Sequence, residues 1–218
     1  MANIFLTGGA GNLGTVVVDA LVEAGHSIHL TLISDADKTH EKANRYVTDL
    51  THNDTVGNTI DSIVDKVHKI DAGVFLAGGY TSGDIDAVDM ETIHKMIKLN
   101  FETAFYASQK LISHYKTNGG GCLIFIGAKA AMENATAAAN VAYALSKQML
   151  FNYCTMINEQ AHKYNITAHI LLPNTLDTAL NRSFMPDADF SKWTRPADIG
   201  QIINRIVEGK ETNVVIRF

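Results

Sequence analysis

Residues 4–14 read IFLTGGAGNLG, an apolar run that leads directly into the glycine pattern Gly9-x-Gly11-x-x-Gly14. Glycines at this spacing let the backbone turn tightly after a strand and approach a pyrophosphate, while the N-terminus of the next helix offers free N–H groups. The stretch therefore predicts a strand, a turn and a helix that bind a dinucleotide. The alternative is a glycine turn kept only for packing between helix and strand. The predicted cofactor contacts are Gly8, Gly9, Gly11, Asn12, Leu13 and Gly14.

Beyond this stretch, short apolar runs alternate with longer segments of helical periodicity, which is typical of βαβ units around a parallel sheet. No internal repeat, low-complexity tract or linker interrupts the alternation, so one domain is expected over residues 1–218. The predicted fold class is α/β, a Rossmann-type doubly wound parallel sheet of about seven strands flanked by helices. Strands are expected at residues 4–7, 27–33, 45–48, 72–77, 122–126, 166–172 and 214–216, and long helices at 89–116 and 141–164.

The composition is that of an ordinary globular protein, with 218 residues of which 46% are hydrophobic and 19% charged. A net charge of −5 argues against nucleic acid or an anionic membrane surface as the main partner. No leader peptide and no apolar run of about 18 residues is evident, so a cytoplasmic protein is expected. The nine histidines and two cysteines show no metal-ligand spacing, which predicts no metal site and free, buried thiols at Cys122 and Cys154.

The residues after the second predicted strand bear on the choice between NAD and NADP. An acidic residue about 20 positions beyond the glycines selects NAD by binding the ribose hydroxyls of the adenosine. Asp35 occupies that place, and no arginine or lysine stands in the immediate positions to receive a 2′-phosphate. If the strand ends sooner, Leu32 or Ser34 is the contact residue and Asp35 belongs to a solvated turn. The expected cofactor is NAD(H) or NADP(H), with NAD favoured.

Tyr143 and Lys147 are four residues apart in a segment of helical periodicity, so both side chains are predicted to lie on one helix face. A phenol beside an ammonium suggests a proton donor for a group that receives hydride. The charge of Lys147, together with an oxidised nicotinamide, is expected to lower the pKa of the phenol, which is about 10 in a free tyrosine. Upstream, where such a site usually offers a serine hydroxyl, the chain carries Ala128.

Taken together and in order, these motifs resemble those of the short-chain dehydrogenase/reductase family over essentially the whole chain. The resemblance implies NAD(P)-dependent oxidoreductase activity on a small molecule, with Tyr143, Lys147 and Asn100 as the catalytic residues. Lys147 would also bind the nicotinamide ribose, and Asn100 would hold a water that links Lys147 to solvent. The alternative for Asn100 is a helix-interior amide bonded to the backbone. Further implied cofactor contacts are Asp49, Leu50, Ala77, Gly78, Gly79, Pro173, Asn174, Thr175 and Thr178, with Asn174 replacing a family glycine.

A narrower resemblance concerns the dihydropteridine reductase group of the family, which also carries alanine in place of the serine. It rests on AGGY at 77–80, GAKAA at 127–131 and LPNTLDTALNRSFMPDADFSKWT at 172–194. It implies reduction of a quinonoid dihydropteridine-like substrate, whose conjugated ring spreads the developing charge and needs the serine donor less. Asn100 departs from the pattern of that group. The implied substrate pocket contains Tyr80, Ala128, Met185 and Trp193.

Two other functions stay open at this point. One is a carbonyl or hydroxy-compound reductase that lacks the catalytic serine. The other is a non-catalytic NAD(P)-sensing protein, which would not need the proton donor. The last strand-like run ends the sequence where many relatives continue into a glycine-rich tail that builds a tetramer. A homodimer that pairs helices 89–116 and 141–164 is therefore expected.

Overall fold

The computed structural model describes all residues from Met1 to Phe218 and contains seven strands. They are β1 (Asn3–Thr7), β2 (Ser27–Leu32), β3 (Asn44–Val47), β4 (Ala72–Phe75), β5 (Gly121–Ile126), β6 (Ile166–Leu172) and β7 (Val215–Arg217). They form one sheet in the order β3-β2-β1-β4-β5-β6-β7, and every neighbouring pair is parallel. This order reverses direction after β3 and is that of a doubly wound sheet, which confirms the predicted α/β fold class.

Helices cover both faces of the sheet. They are α1 (Asn12–Glu23), α2 (Asn53–Val67), α3 (Met90–Ile97), α4 (Thr103–Thr117), α5 (Lys129–Met132), α6 (Asn134–Ala137), α7 (Val141–Ala161), α8 (Ala179–Phe184) and α9 (Pro196–Val207). Helices α1 and α9 pack on one face, and α2, α4 and α7 pack on the other. None of the helices combines the length and the apolar character that crossing a membrane requires.

The strand residues explain why both faces are covered. In β1, Ile4 and Leu6 belong to the apolar cluster under α1 and α9, whereas Phe5 belongs to the cluster under α2, α4 and α7. Side chains alternate between the two faces of a strand, so a strand buried on both faces reads as a continuous apolar run. All three of these side chains have no exposed surface. The unbroken apolar runs of the sequence therefore correspond to central strands of a parallel sheet.

Three strands end earlier than the sequence predicts. β3 is shifted by one residue and ends at Val47 instead of residue 48. β2 ends at Leu32 instead of residue 33, and β4 ends at Phe75 instead of residue 77. Ile33 is apolar but 92% exposed, because it already lies in the loop at the carboxyl edge of the sheet. Hydrophobicity follows the apolar run and does not report where the hydrogen-bonded ladder stops. The consequence is that the residues beyond the ends of β2 and β4 become available to a ligand at that edge.

The predicted long helix at 89–116 contains an interruption. Asp89 caps its first turn by accepting a hydrogen bond from the Thr92 N–H at 2.8 Å, as its position in the sequence indicates. The helix then passes through a π-helical turn at Lys98–Glu102 before α4 begins. A π turn inserts an extra residue into the helix and often marks a functional site. Here it contains Asn100, whose side chain is 1% exposed.

Candidate active site

The glycine loop lies between β1 and α1, at the carboxyl edge of the sheet. Gly8 has a φ of +72°, and a Cβ atom at that position would come within 2.5 Å of the Ala77 nitrogen. A Cβ on Gly14 would lie 2.1 Å from the Gly8 carbonyl oxygen. Both positions therefore require glycine for steric reasons, which explains the motif without reference to a ligand. The same absence of side chains leaves a backbone surface that a pyrophosphate can approach.

The start of α1 supplies the electrostatic part of this cradle. Gly11 is its N-cap, no side chain caps the helix, and its first turn contains no acidic residue. The first N–H groups of a helix have no acceptor within the helix and carry partial positive charge. Asn12 and Leu13 begin this turn, so their N–H groups suit the pyrophosphate of a dinucleotide. The residues present thus fit the cofactor that the sequence predicts.

The loop after β2 places the acidic residues differently from the expectation. Leu32 ends the strand and is 3% exposed, and Asp35 lies three residues later in an exposed loop. The carboxylate nearest the strand end comes from Asp37, whose Oδ2 accepts hydrogen bonds from the N–H groups of Ile33 and Ser34, each at 3.1 Å. Sequence reasoning missed Asp37 because the loop folds back on itself. The sequence does contain a signal for this fold-back, because an Asp side chain can accept hydrogen bonds from backbone N–H groups three or four residues earlier.

A basic group also reaches this loop. Arg45 lies on β3, the strand next to β2, and its guanidinium donates to the carbonyl oxygens of Asp35 and Asp37. Lys38 is three positions after Asp35 in the sequence, whereas Arg45 is ten positions away and only the pairing of β2 with β3 brings it near. The loop that would surround an adenosine ribose therefore carries two carboxylates and the lysine Lys38, and the Arg45 guanidinium reaches it from β3.

Asp49 and Leu50 follow β3 and precede α2. The carboxylate of Asp49 accepts hydrogen bonds from the Thr51 N–H at 2.8 Å and the Thr51 hydroxyl at 2.7 Å. These bonds hold the pKa of Asp49 below its ordinary value. Leu50 packs against the core under α2 and α4. Asp49 thus orders the turn before α2, and its exposed position leaves it open to an adenine.

The loop after β4 is fastened to the π turn. The Asn100 side-chain oxygen accepts a hydrogen bond from the Gly79 N–H at 2.9 Å, and its amide nitrogen donates to the Gly79 carbonyl at 3.0 Å. A Cβ on Gly78 would lie 2.5 Å from the Asn100 side-chain oxygen, so the loop and the π turn touch directly. The Asn100 side chain is thus bonded to backbone, as in the alternative interpretation of the sequence. Ala77 precedes this contact and lies within reach of the glycine loop through Gly8.

Tyr143 and Lys147 lie together on α7, as their spacing predicts. The Lys147 ammonium is 5.9 Å from the centre of the Tyr143 ring and donates a hydrogen bond to the Ile126 carbonyl at 2.8 Å. Lys147 is 6% exposed, and this is its one hydrogen bond within the chain. The Tyr143 hydroxyl bonds to no other protein group. Both side chains therefore keep donors free for a ligand at the carboxyl end of β5.

Burial dominates the protonation of this pair. It raises the pKa of Tyr143 to about 12, with a smaller contribution from Tyr80, and it lowers the pKa of Lys147 to about 8. From the sequence, the lysine and an oxidised nicotinamide are expected to lower the pKa of Tyr143. In the protein alone the loss of hydration outweighs the charge of Lys147. Tyr143 is consequently a protonated phenol at neutral pH, which is the form that can donate a proton.

The place of the missing serine is apolar. Ala128 is 6% exposed and packs with Ala131 and Ala144 in a small cluster that Tyr143 also contacts. The ring of Tyr80 meets that of Tyr143 edge-on, with ring centres 5.1 Å apart. The Tyr80 hydroxyl donates to the Asn140 side chain at 2.7 Å, and the ring itself remains 66% exposed. The Tyr143 side chain thus contacts buried alanine side chains on one side and the exposed ring of Tyr80 on another.

The segment after β6 folds back on its own start. A β-bridge joins Leu176 to Thr194, and the Asn174 N–H donates to the Thr194 hydroxyl at 3.0 Å. We call residues 177–193, which lie between the two sides of this bridge, the flap. The Asn174 side chain donates to the Phe218 carbonyl at 3.3 Å, and Pro173 is buried at the end of β6. Asn174 does not have a positive φ, so the family glycine is not required here.

The flap is held by its own side chains. Arg182 makes two hydrogen bonds to Asp177, at 2.6 and 2.9 Å, and its guanidinium lies 4.5 Å from the centre of the Phe190 ring. Phe190 in turn contacts Trp193 edge-on at 4.7 Å. The Thr178 hydroxyl accepts from the Asn181 N–H and caps α8. These contacts make the flap an ordered unit attached at one place.

The predicted pocket residues do not all share one cavity. A cavity of about 750 Å³ opens between residues 129–136 and the flap, and Trp193 and Thr175 line it together with Lys129. Tyr80 and Ala128 are at Tyr143 instead, and none of these three residues lines the cavity. Met185 lies at the end of α8 and is 40% exposed. The cavity thus does not include the phenol of Tyr143.

Comparison with known sequences agrees with this geometry. The sequence model of the family described as short chain dehydrogenase matches residues 2–189. The chain belongs to the short-chain dehydrogenase/reductase family. It is an NAD(P)-dependent oxidoreductase, and members of this family with known activities act on small molecules.

Two relatives and one solved structure show the kinds of enzyme to which this chain is similar. Dihydropteridine reductase of Dictyostelium discoideum is 27% identical over 210 residues, which cover 91% of this chain and 84% of the relative. Sorbitol-6-phosphate 2-dehydrogenase of Klebsiella pneumoniae is 24% identical over 211 residues, which cover 91% and 78%. A gluconate 5-dehydrogenase from Burkholderia cenocepacia, in complex with NADP and tartrate, superposes with a TM-score of 0.88 at 20% identity, covering 100% of this chain and 93% of that one.

Proposed function

We propose that this short-chain oxidoreductase uses NAD(P)H to reduce a quinonoid dihydropteridine-like substrate. The observation that carries the proposal is the cluster of alanine side chains beside Tyr143. Ala128, Ala131 and Ala144 surround the place of the family serine and offer no hydrogen-bond donor to a localised oxyanion. A conjugated bicyclic acceptor spreads the incoming charge over several ring atoms and does not need that donor. The resemblance to a dihydropteridine reductase over 91% of the chain supports the same substrate class.

The residues of the chain would divide the chemistry as follows. A dinucleotide held at the glycine loop through its pyrophosphate would supply the hydride from its dihydronicotinamide. Tyr143, protonated at neutral pH, gives a proton to the reduced ring from its free hydroxyl. The Lys147 ammonium has N–H donors that its bond to Ile126 does not use. These would bind the ribose and stabilise the phenolate that remains. The backbone of Gly78 and Gly79, fixed by Asn100, would form the side of the nicotinamide pocket.

For the cofactor we propose a preference for NADH over NADPH. The carboxylates of Asp35 and Asp37 lie in the loop where an adenosine ribose would sit, and both would repel a 2′-phosphate. The guanidinium of Arg45 acts in the opposite direction, because it would attract the phosphate. The position of the Asp37 carboxylate, held at the strand end by the N–H groups of Ile33 and Ser34, favours the ribose diol. The presence of Arg45 predicts a modest preference, well short of exclusion of NADPH.

We also propose the expected homodimer, which pairs the helical segments 89–116 and 141–164. α7 carries Leu145, Met149 and Met156 on its surface, with 42%, 37% and 62% of each residue exposed. Their spacing of four and seven positions puts them on one helix face. An apolar face of this kind suits a second copy of the same helix. Sedimentation equilibrium of the purified protein measures the mass directly, and a monomer at micromolar concentration would refute the pairing.

The test of the proposed function is turnover on a defined substrate panel. Oxidation of NADH and of NADPH would be followed with quinonoid dihydropterin and with small aliphatic and cyclic ketones at matched concentrations. Turnover on the dihydropterin at a kcat/KM at least about 100-fold above that on any ketone is expected. Ketone turnover with no response to the dihydropterin would replace the proposal with the serine-less carbonyl reductase.

A further inference from the structure

Ser146 is a buried polar residue that the proposed chemistry does not use. It lies on α7 between Tyr143 and Lys147, and its side chain has no exposed surface. Its hydroxyl donates to the Tyr143 carbonyl at 2.7 Å and accepts a hydrogen bond from the Asn100 amide nitrogen at 3.0 Å. A hydroxyl has one proton, so when it donates to Tyr143 only its lone pairs remain for Asn100. Its proton and one of its two lone pairs are thus used.

The bond from Asn100 to Ser146 ties the amide to α7 in the orientation that its two bonds to Gly79 set. With its nitrogen on Ser146 and on the Gly79 carbonyl, Asn100 presents its oxygen to the Gly79 N–H at 2.9 Å. Met96 adds only a weak sulfur contact at 3.8 Å. A continuous path of hydrogen bonds therefore runs from the Tyr143 carbonyl through Ser146 and Asn100 to the backbone of Gly79.

This path connects two parts of the site whose relative position affects the reaction. α7 carries the proton donor and the lysine, and the loop after β4 forms the side of the proposed nicotinamide pocket. The loop has two other ties near the start of α7: the Tyr80 hydroxyl donates to the side chain of Asn140, the N-cap residue, at 2.7 Å, and the Val141 N–H donates to the Gly83 carbonyl at 2.9 Å. A displacement of about 1 Å between reacting groups can lower a rate by about 100-fold. The relative position of loop and helix is therefore a property that the chemistry depends on.

We propose that Ser146 is a positioning residue, which sets the distance between Tyr143 and the nicotinamide pocket through Asn100. The proposal rests on the proposed reductase function, in which Tyr143 gives the proton. Alanine at position 146 would remove the hydrogen bond that ties the Asn100 amide to α7, while its two bonds to Gly79 remain. The loop at Gly79 would then move relative to α7, while the glycine loop that binds most of the dinucleotide would be untouched.

The chain offers a matched control in Ser108. It is also fully buried in a helix, its hydroxyl also donates to a carbonyl three residues back, at 3.1 Å, and it also bonds a second side chain, Tyr153, at 3.1 Å. It lies on α4 within the core and contacts no residue of the site. Ser108→Ala therefore reports the cost of losing a buried serine network as such.

The experiment compares Ser146→Ala, Ser146→Thr and Ser108→Ala in the full-length protein. In single-turnover reactions with the substrate that the wild type reduces best, Ser146→Ala is expected to slow hydride transfer at least 10-fold. The Kd for NADH, measured by its fluorescence, should change less than 3-fold. Ser108→Ala should lower the melting temperature to a similar degree and leave the hydride-transfer rate within 2-fold. Ser146→Thr, which keeps the hydroxyl, should recover most of the rate.

A second measurement needs no substrate and separates this proposal from the proposed function. Exchange of the Gly79 amide proton in the cofactor-free protein should accelerate at least 10-fold in Ser146→Ala, since its acceptor Asn100 is no longer tied to α7. Unchanged exchange at Gly79 would refute the link from Ser146, whatever the enzyme reduces. Faster exchange with an unchanged hydride-transfer rate would overturn the positioning role. A wild type inert toward dihydropterin would refute only the substrate assignment, and the rates would then be measured with the ketone it accepts.

Discussion

Replacement of Lys147 by methionine is expected to abolish turnover and, at neutral pH, to make the cofactor-free protein more stable. The ammonium of Lys147 is buried, and its one hydrogen bond within the chain goes to the Ile126 carbonyl. Burial lowers its pKa from 10.5 to about 8. At about 1.4 kcal/mol for each pH unit, this difference means that the charged lysine destabilises the fold by about 3 kcal/mol at pH 7. Methionine has a similar length and carries no charge.

The hydrogen bond to Ile126 reduces the expected gain. Its loss costs about 1 kcal/mol, so the variant should be more stable than the wild type by about 2 kcal/mol at pH 7. The unfolded chain keeps the lysine proton up to a pH of about 10.5, and the folded protein releases it from about 8. The unfolded state thus binds more protons in this window, and the wild type gains stability as the pH rises through it. Above the window, the variant should be less stable by about 1 kcal/mol.

The assay is equilibrium unfolding in urea of both proteins without cofactor, at several pH values from 7 to 10.5. All other titrating groups are common to the two proteins, so the difference between their unfolding free energies isolates Lys147. The expected difference changes sign and spans about 3 kcal/mol. A difference that stays constant with pH would show that Lys147 is not desolvated in the folded protein. The reasoning would then be wrong even if turnover is lost.

Three further substitutions test individual roles. Tyr143→Phe should lower kcat at least about 1,000-fold and leave the Kd for NADH within 2-fold, because the ring still packs and only the proton is lost; near-normal turnover would remove Tyr143 from the mechanism. Asp37→Asn should raise the NADPH to NADH ratio of kcat/KM about 10-fold, more than Asp35→Ala does, and equal ratios in both variants and the wild type would place the ribose elsewhere. Ala128→Ser should not improve the turnover of dihydropterin. A gain in ketone turnover of about 100-fold, the size expected for one oxyanion donor, would instead favour a carbonyl reductase that has lost its serine.

The parts of the fold that could be predicted depend on local sequence. The glycine pattern specifies the turn before α1 because backbone clearance at Gly8 and Gly14 excludes every other residue. The apolar runs predict buried strands, since parallel strands are apolar on both faces. Asp89 predicts a helix start because its side chain bonds a backbone group three residues later. In each case the determining contacts lie within a few residues of one another.

The parts that could not be predicted depend on contacts between distant segments. Arg45 reaches the loop after β2 only because β3 pairs with β2. The π turn at Asn100 follows from its bonds to Gly79 and Ser146, which are 21 and 46 positions away. The acidic residue at the end of β2 was expected at Asp35, and the loop brings Asp37 there instead. The spacing of charges in a loop does not specify how the loop folds back.

The bridge between Leu176 and Thr194 gives the flap the character of an insertion. The chain leaves the body of the protein and returns to it at the same point, so the flap's length and sequence can vary without changing the register of β6 and β7. The cost of closing such a loop grows only slowly with its length. Exchange of the flap with that of a relative would therefore leave the sheet and the glycine loop with their geometry. The flap can thus change independently of the part of the fold that carries Tyr143 and Lys147.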